Sequence, residues 1–179
     1  MSIAEQLHSN VTLDELLQAK DRRAARQNTW LQSYRQPLIS LTLVTPGPVK
    51  DSALYRRSMR AAVEACNALL HTRGWNTLAH QVFWLDTGPE ALWSVDHVGA
   101  EIKAATVALE QSHWIGRLWD IDVISPDEGV IGRDALGRAG RCCLLCDQPA
   151  HACSRSRRHP LEQVVGKIED QLDAYFSAK

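Results

Sequence analysis

No stretch of this 179-residue chain is apolar for long enough to cross a bilayer; its longest apolar-rich run, residues 38–44, falls far short of the roughly 20 residues a spanning helix needs. Residues 1–10 lack a basic segment followed by an apolar one, so no signal peptide is expected. The expectation is a soluble, cytoplasmic protein without a membrane partner. Net charge is nearly absent, at −1. That excludes a generally basic surface, and with no groove-reading motif it argues against nucleic acid. Cysteine is sparse and odd in number, five in all, so a disulfide framework is not expected. There is no internal repeat, low-complexity tract or long linker. The expectation is therefore one domain over 1–179, large enough to bury a core without staples. It divides into an N-terminal helical segment (1–36), an α/β core (37–131), a Cys/Arg-rich segment (132–159) and a C-terminal helix (160–179).

What is present alternates between helical and extended patterns. Thr12-Leu13-Asp14-Glu15 reads as a capping box opening a helix that ends before Pro37. Its apolar positions are sparse, which marks a surface helix able to pack on a partner. Residues 38–45 read as a buried strand closed by Pro46-Gly47-Pro48. Ser52 can cap a helix that Gly74 stops. A second strand is expected over 81–86, ended by Thr87-Gly88-Pro89. A helix follows from Asp96 or His97, with Val98, Ile102, Ala105 and Leu109 on one face and Gly116 as its stop. Residues 118–124 read as a third strand and 129–131 as a short fourth. Pro160 suits the first position of the last helix. This order predicts an α+β fold: a small mixed, mostly antiparallel sheet with helices on one face, ferredoxin-like or similar to a polymerase palm. The Cys/Arg-rich segment reads as irregular.

Three groups of residues carry chemistry. Asp120 and Asp122, two apart on a strand, point to the same face. Two adjacent anions suit a Mg²⁺ ion shared with substrate phosphate; a solvated strand face is the bland alternative. Glu110 could add a ligand, and His113 could act as a base or simply end its helix. Pro46-Gly47-Pro48-Val49-Lys50-Asp51 joins a strand to a helix and could offer Lys50 to phosphate, although its spacing is not that of a Walker loop. Finally, Cys143, Cys146, Cys153 and His159 have the donor types of a structural Zn²⁺ site. Their spacing is not that of a zinc finger, and Cys142 and His151 are also available, so free thiols and a catalytic cysteine stay open. Charge is concentrated here: between 132 and 160 there are six arginines, Arg133, Arg138, Arg141, Arg155, Arg157 and Arg158, against Asp134 and Asp147. Arg117, Arg141, Arg155, Arg157 and Arg158 could clamp a polyphosphate, since a guanidinium matches phosphate bidentately, or could form a solvated basic face.

Together, Pro46-Gly47-Pro48-Val49-Lys50-Asp51, Gly116-Arg117-Leu118-Trp119-Asp120-Ile121-Asp122-Val123 and the run from Arg141 to His159 resemble the citrate lyase holo-[acyl-carrier protein] synthase family. Its members are also called apo-citrate lyase phosphoribosyl-dephospho-CoA transferases. Trp114 stands in place of an expected proline, and Cys142 in place of a basic residue. The resemblance implies an enzyme of nucleotidyltransferase type. It would move the phosphoribosyl-dephospho-CoA unit from 2′-(5″-triphosphoribosyl)-3′-dephospho-CoA to a serine of the citrate lyase acyl carrier (γ) subunit, releasing pyrophosphate. On that reading Asp120 and Asp122 hold Mg²⁺ and His113 is a candidate base. Lys50, Arg117, Arg141 and Arg155 hold phosphate, and an acidic carrier docks on a basic surface such as the first helix or the cysteine-rich segment. The competing readings are the equivalent synthase of malonate decarboxylase, which uses the same prosthetic group, and a zinc-stabilised carrier-binding module without catalysis.

Overall fold

The computed structural model describes residues 10–178. Its elements are α1 (Leu13–Tyr34), β1 (Leu38–Leu43), α2 (Ala53–Arg73), β2 (Asn76–Phe83), β3 (Glu90–Asp96), α3 (Gly99–Ser112), β4 (Trp119–Ser125), β5 (Gly129–Ile131), α4 (Ala150–Ser156) and α5 (Leu161–Ser177). The boundaries follow local chemistry. Thr12 and Glu15 form the capping box: the Thr12 N–H donates to Glu15 Oε2 at 2.8 Å and the Glu15 N–H to Thr12 Oγ1 at 3.3 Å. Ser52 Oγ accepts the Tyr55 N–H at 3.1 Å to open α2, which ends at Gly74 in the left-handed region (φ 67°). Pro160 is the cap of α5, one position before its first turn.

The strands pair in the order β2-β3-β1-β4-β5, every pair antiparallel. The run β1-α2-β2-β3-α3-β4 is thus the split βαβ arrangement of a ferredoxin-like fold, with β5 added at one edge. Two expectations are corrected. The second strand lies at 76–83 rather than 81–86, and a further strand, β3, follows it. Thr87-Gly88-Pro89 does not end the extended structure; it belongs to the turn of a hairpin, where Gly88 (φ 110°) donates its N–H to Leu85 O at 3.0 Å. β3 escaped notice because it runs mid-sheet with both faces covered. Six of its seven residues are buried, so Glu-Ala-Leu-Trp-Ser-Val-Asp shows no alternation. One irregularity marks β2: Thr77 faces Val95 while Ala79 faces Ser94, so Leu78 is an extra, bulged residue.

The sheet's two faces differ. Ile39, Leu41, Trp93, Val95, Trp119, Ile121 and Val123 meet Tyr55, Met59 and Cys66 of α2, Ile102 of α3, and Ile168 and Leu172 of α5 in the main core. The opposite face carries Leu38, Leu92 and Ile124, packed against Trp30 and Leu31 of α1. Polar contacts fasten α1 there: Gln27 Nε2 donates to Ser40 Oγ at 2.9 Å, and Arg23 and Arg26 both bind the buried Glu90 carboxylate. α1 therefore covers only part of this second face, leaving the β4 side open. Among the described residues no helix is long and apolar enough to cross a membrane.

Candidate functional site

The open part of the α1 face is where the carboxylates stand. In the β1–β4 register Asp120 lies beside Thr42 and Asp122 beside Ser40, while Trp119, Ile121 and Val123 point into the core. A cavity of about 470 Å³ opens over the pair, lined also by Lys103, Arg133, Arg138, Arg141 and His151. Arg141 Nη2 lies 3.1 Å from Asp120 Oδ1. Removal from water by the surrounding protein, and then the adjacent Asp120 charge, push the Asp122 carboxyl above its ordinary value. Two like charges held side by side, one oxygen already on an arginine and the rest open to the cavity, fit a dication that keeps positions free for phosphate.

The arginines are set by a feature the sequence did not reveal. β5 pairs with β4 only at Val123, Ile124 and Ser125, so the β4 edge has no strand partner at Ile121. Two side chains of α3 replace it: Glu110 Oε1 accepts the Ile121 N–H at 3.0 Å, and Lys103 Nζ donates to the Ile121 carbonyl at 2.8 Å. Glu110 then anchors the irregular segment, accepting from Arg133 and, at 2.6 Å, from Arg141. Burial raises the Glu110 carboxyl, and the Arg141 charge opposes the rise. Burial lowers the Lys103 ammonium. Glu110 is therefore not placed as a metal ligand beside the aspartates, as its position in the sequence had suggested, because both oxygens are engaged in this knot. Lys103 has no part in the sequence reading, and Arg133 enters it only as one of six arginines in a basic stretch. The signal was available: Lys103 and Glu110, seven residues apart, are charges on the buried side of α3.

The other expected residues are spread more widely. Arg117 Nη2 donates to the Cys142 carbonyl, and burial, then the nearby Arg141 charge, lower its pKa. Lys50 Nζ donates to the Thr45 carbonyl and lines a cavity of about 230 Å³ with Lys20 and Arg23 of α1. Thr42, the neighbour of Asp120, also borders that cavity. Arg155 is exposed on α4. His113 lies on the core side of the sheet, away from the carboxylates. It caps α3 through its N–H to Leu109 O (3.0 Å), accepts the Ile115 N–H on Nδ1 (3.3 Å), and packs on Trp119 at 4.3 Å and near the Tyr175 hydroxyl. The histidine in the wall of the carboxylate cavity is His151.

Cys143, Cys146, Cys153 and His159 do come together, with all four donor atoms within 4.8 Å of one another. Cys146 Sγ is 3.5 Å from Cys153 Sγ and 3.3 Å from His159 Nε2. Zinc–sulfur bonds of about 2.3 Å in a tetrahedron would place sulfurs roughly 3.8 Å apart, so the cluster has the size and donor set to bind a metal ion. Cys142 and His151 stand outside it. The segment expected to be irregular owes its order partly to α4, which delivers Cys153 to the cluster. The Leu145 N–H draws the Cys143 thiol down, whereas burial and then the Cys146 sulfur push Cys153 up to about 11.

Residues 11–175 match the model of the family described as apo-citrate lyase phosphoribosyl-dephospho-CoA transferase. Among curated proteins, the transferases of that name from Escherichia coli O139:H28 and Escherichia coli O8 are each 39% identical to this chain over 166 residues, covering 93% of it and 91% of the relative. The match takes in the carboxylate strand, the arginine knot and the cysteine cluster together, and the chain belongs to the apo-citrate lyase phosphoribosyl-dephospho-CoA transferase family.

Proposed function

We propose that this protein transfers the phosphoribosyl-dephospho-CoA unit of 2′-(5″-triphosphoribosyl)-3′-dephospho-CoA to a serine of the citrate lyase acyl carrier subunit. The observation that carries this reading is the family match over 11–175, which includes every residue of the carboxylate cavity. The serine oxygen attacks the phosphorus nearest the ribose, the bond from that phosphorus to the pyrophosphate oxygen breaks, and the serine proton is lost.

The side chains divide this work by position. Asp120 and Asp122 are the residues that would hold Mg²⁺, which supplies charge neutralisation on the phosphates when bound. Arg141, fixed by Glu110 and already beside Asp120, presents its remaining N–H groups to the phosphates. Arg133 and Lys103 add positive charge to the same wall, where it stabilises the departing pyrophosphate. His151 is the imidazole placed to accept the serine proton; His113 is packed on the far side of the sheet. Lys50, with Lys20 and Arg23, lines a second recess that Thr42, the β1 neighbour of Asp120, also borders. Cys143, Cys146, Cys153 and His159 would hold a zinc ion as a structural clasp, since four protein donors would complete its tetrahedron.

The test is the intact mass of the apo carrier subunit after incubation with this protein, donor and Mg²⁺. A gain equal to the phosphoribosyl-dephospho-CoA unit, abolished by chelation of Mg²⁺ and reduced about a hundredfold or more in rate by Asp120→Asn, is expected. Transfer to a malonate decarboxylase carrier but not to that of citrate lyase would redirect the reading to the sister enzyme. Full activity of a folded Asp120→Asn would remove the carboxylate from the reaction.

A further inference from the structure

A second, larger cavity of about 580 Å³ lies on the other side of α4 and is not used by the phosphate chemistry above. Its volume falls within the roughly 300–1,000 Å³ of small-molecule sites. Its apolar wall comes from Val44, Pro46, Leu144, Leu161 and Val164. Leu161 remains 46% exposed although it stands in the first turn of α5. Gly47 (φ 83°) brings the chain so close that a side chain there would meet Leu161 at 3.3 Å. Two cations, Arg117 and Arg157, share the lining with this aliphatic surface.

Ala150, at the start of α4, belongs to the walls of both this cavity and the carboxylate cavity, so the two adjoin. The donor, in turn, is a long molecule. Its reactive triphosphate and its pantetheine arm lie at opposite ends, with a diphosphate between the adenosine and the arm. Apart from His159, whose ring nitrogen is turned to Cys146 in the cysteine cluster, no lining residue offers an aromatic ring on which a base could stack. The wall is aliphatic, which suits the dimethyl and methylene groups of the arm, and the cations suit a diphosphate.

We propose that this cavity holds the pantetheine arm of the dephospho-CoA donor, with Arg117 and Arg157 on the diphosphate at its mouth. The proposal rests on the transferase reading given above and deepens it. Three of the four metal-cluster residues, Cys143, Cys153 and His159, form part of the same wall. The metal cluster thereby shapes the binding site for one end of the donor while the carboxylates serve the other.

Calorimetric titration of the protein, isolated without chelator, with 3′-dephospho-CoA and separately with ADP tests this. Dephospho-CoA is expected to bind more tightly than ADP. Leu161→Trp and Val164→Phe, which fill the cavity, should each weaken dephospho-CoA at least about tenfold and leave ADP unchanged. Arg157→Gln, at the exposed left-handed cap of α4 and judged only if it keeps the wild-type melting temperature, should weaken both ligands about fivefold. Unchanged dephospho-CoA affinity in the filling variants that keep the wild-type melting temperature would overturn the proposal, as would unchanged affinity in Arg157→Gln or equal affinity of the wild type for ADP and dephospho-CoA. Failure here with carrier modification intact would leave the transferase standing and move the arm elsewhere; absence of carrier modification would instead strike the reading beneath it.

Discussion

Asp122 stands exposed on β4, with Asp120 as its same-face neighbour. Its carboxyl is raised above the ordinary 3.8 because the protein removes water from it and Asp120 stands beside it. A group raised in the folded state contributes stability that is fully present below its unfolded value and is lost as pH rises through the folded value. At neutral pH the charge therefore opposes folding, to an extent that solvent screening keeps modest. Asp122→Asn is expected to raise the melting temperature at pH 7, to lose that gain below about pH 4, and to lose transfer activity. A thermal melt series over pH, run beside the carrier-mass assay, checks all three. The aspartate pair was legible in the sequence because a two-residue spacing on a strand fixes a common face. The knot that Lys103 and Arg133 join through Glu110 was not, because what places it is a gap in a sheet edge formed by distant segments.

The elements are bound to one another by substitutes for missing strand pairing. α3 supplies Glu110 and Lys103 to the unpaired Ile121 backbone, and Glu110 in turn collects Arg133 and Arg141. Glu110→Gln would leave two half-buried guanidiniums facing a neutral amide. The expected cost is about 3 kcal/mol, or a melting temperature lower by roughly 6–12 °C. Because Arg141 would lose its anchor, donor affinity should fall as well; a variant as stable as the wild type would deny the knot its role. Helix starts with side-chain caps were readable, as Thr12 and Ser52 show. The β2–β3 hairpin was not, because its turn resembles a terminator and β3 is buried on both faces. α4 is seven residues long, too short for periodicity to announce it.

At the scale of the molecule, the sheet separates a dry face from a working one. Trp119 and Asp120 are adjacent in sequence yet belong to opposite sides: one to the core with α2, α3 and α5, the other to a charged recess beside α1. The cysteine cluster draws together residues 143, 146, 153 and 159, beside the Ala150 and His151 that line the recess. Stripping the metal with a strong chelator is expected to speed amide hydrogen exchange across that segment while β1, β3 and β4 stay protected. Activity should return with zinc and not with added Mg²⁺ alone. Uniform loss of protection would show instead that the metal sustains the whole fold. The donor types of this clasp could be read from the sequence, but the choice among six possible Cys and His ligands needed α4 to deliver Cys153 and leave His151 on the other wall.

The bulged Leu78 bears on how copies of this chain meet in a crowded cell. β2 borders the sheet, and a flat border of free N–H and C=O groups is a template on which another copy's strand can be added. The extra residue breaks the regular spacing there and increases the local twist, so an incoming strand finds no continuous register. The opposite border is guarded differently, by a strand of only three residues and by Lys103 and Glu110 occupying the backbone of Ile121. A five-stranded sheet blunted at both margins offers an added strand little regular edge to pair with.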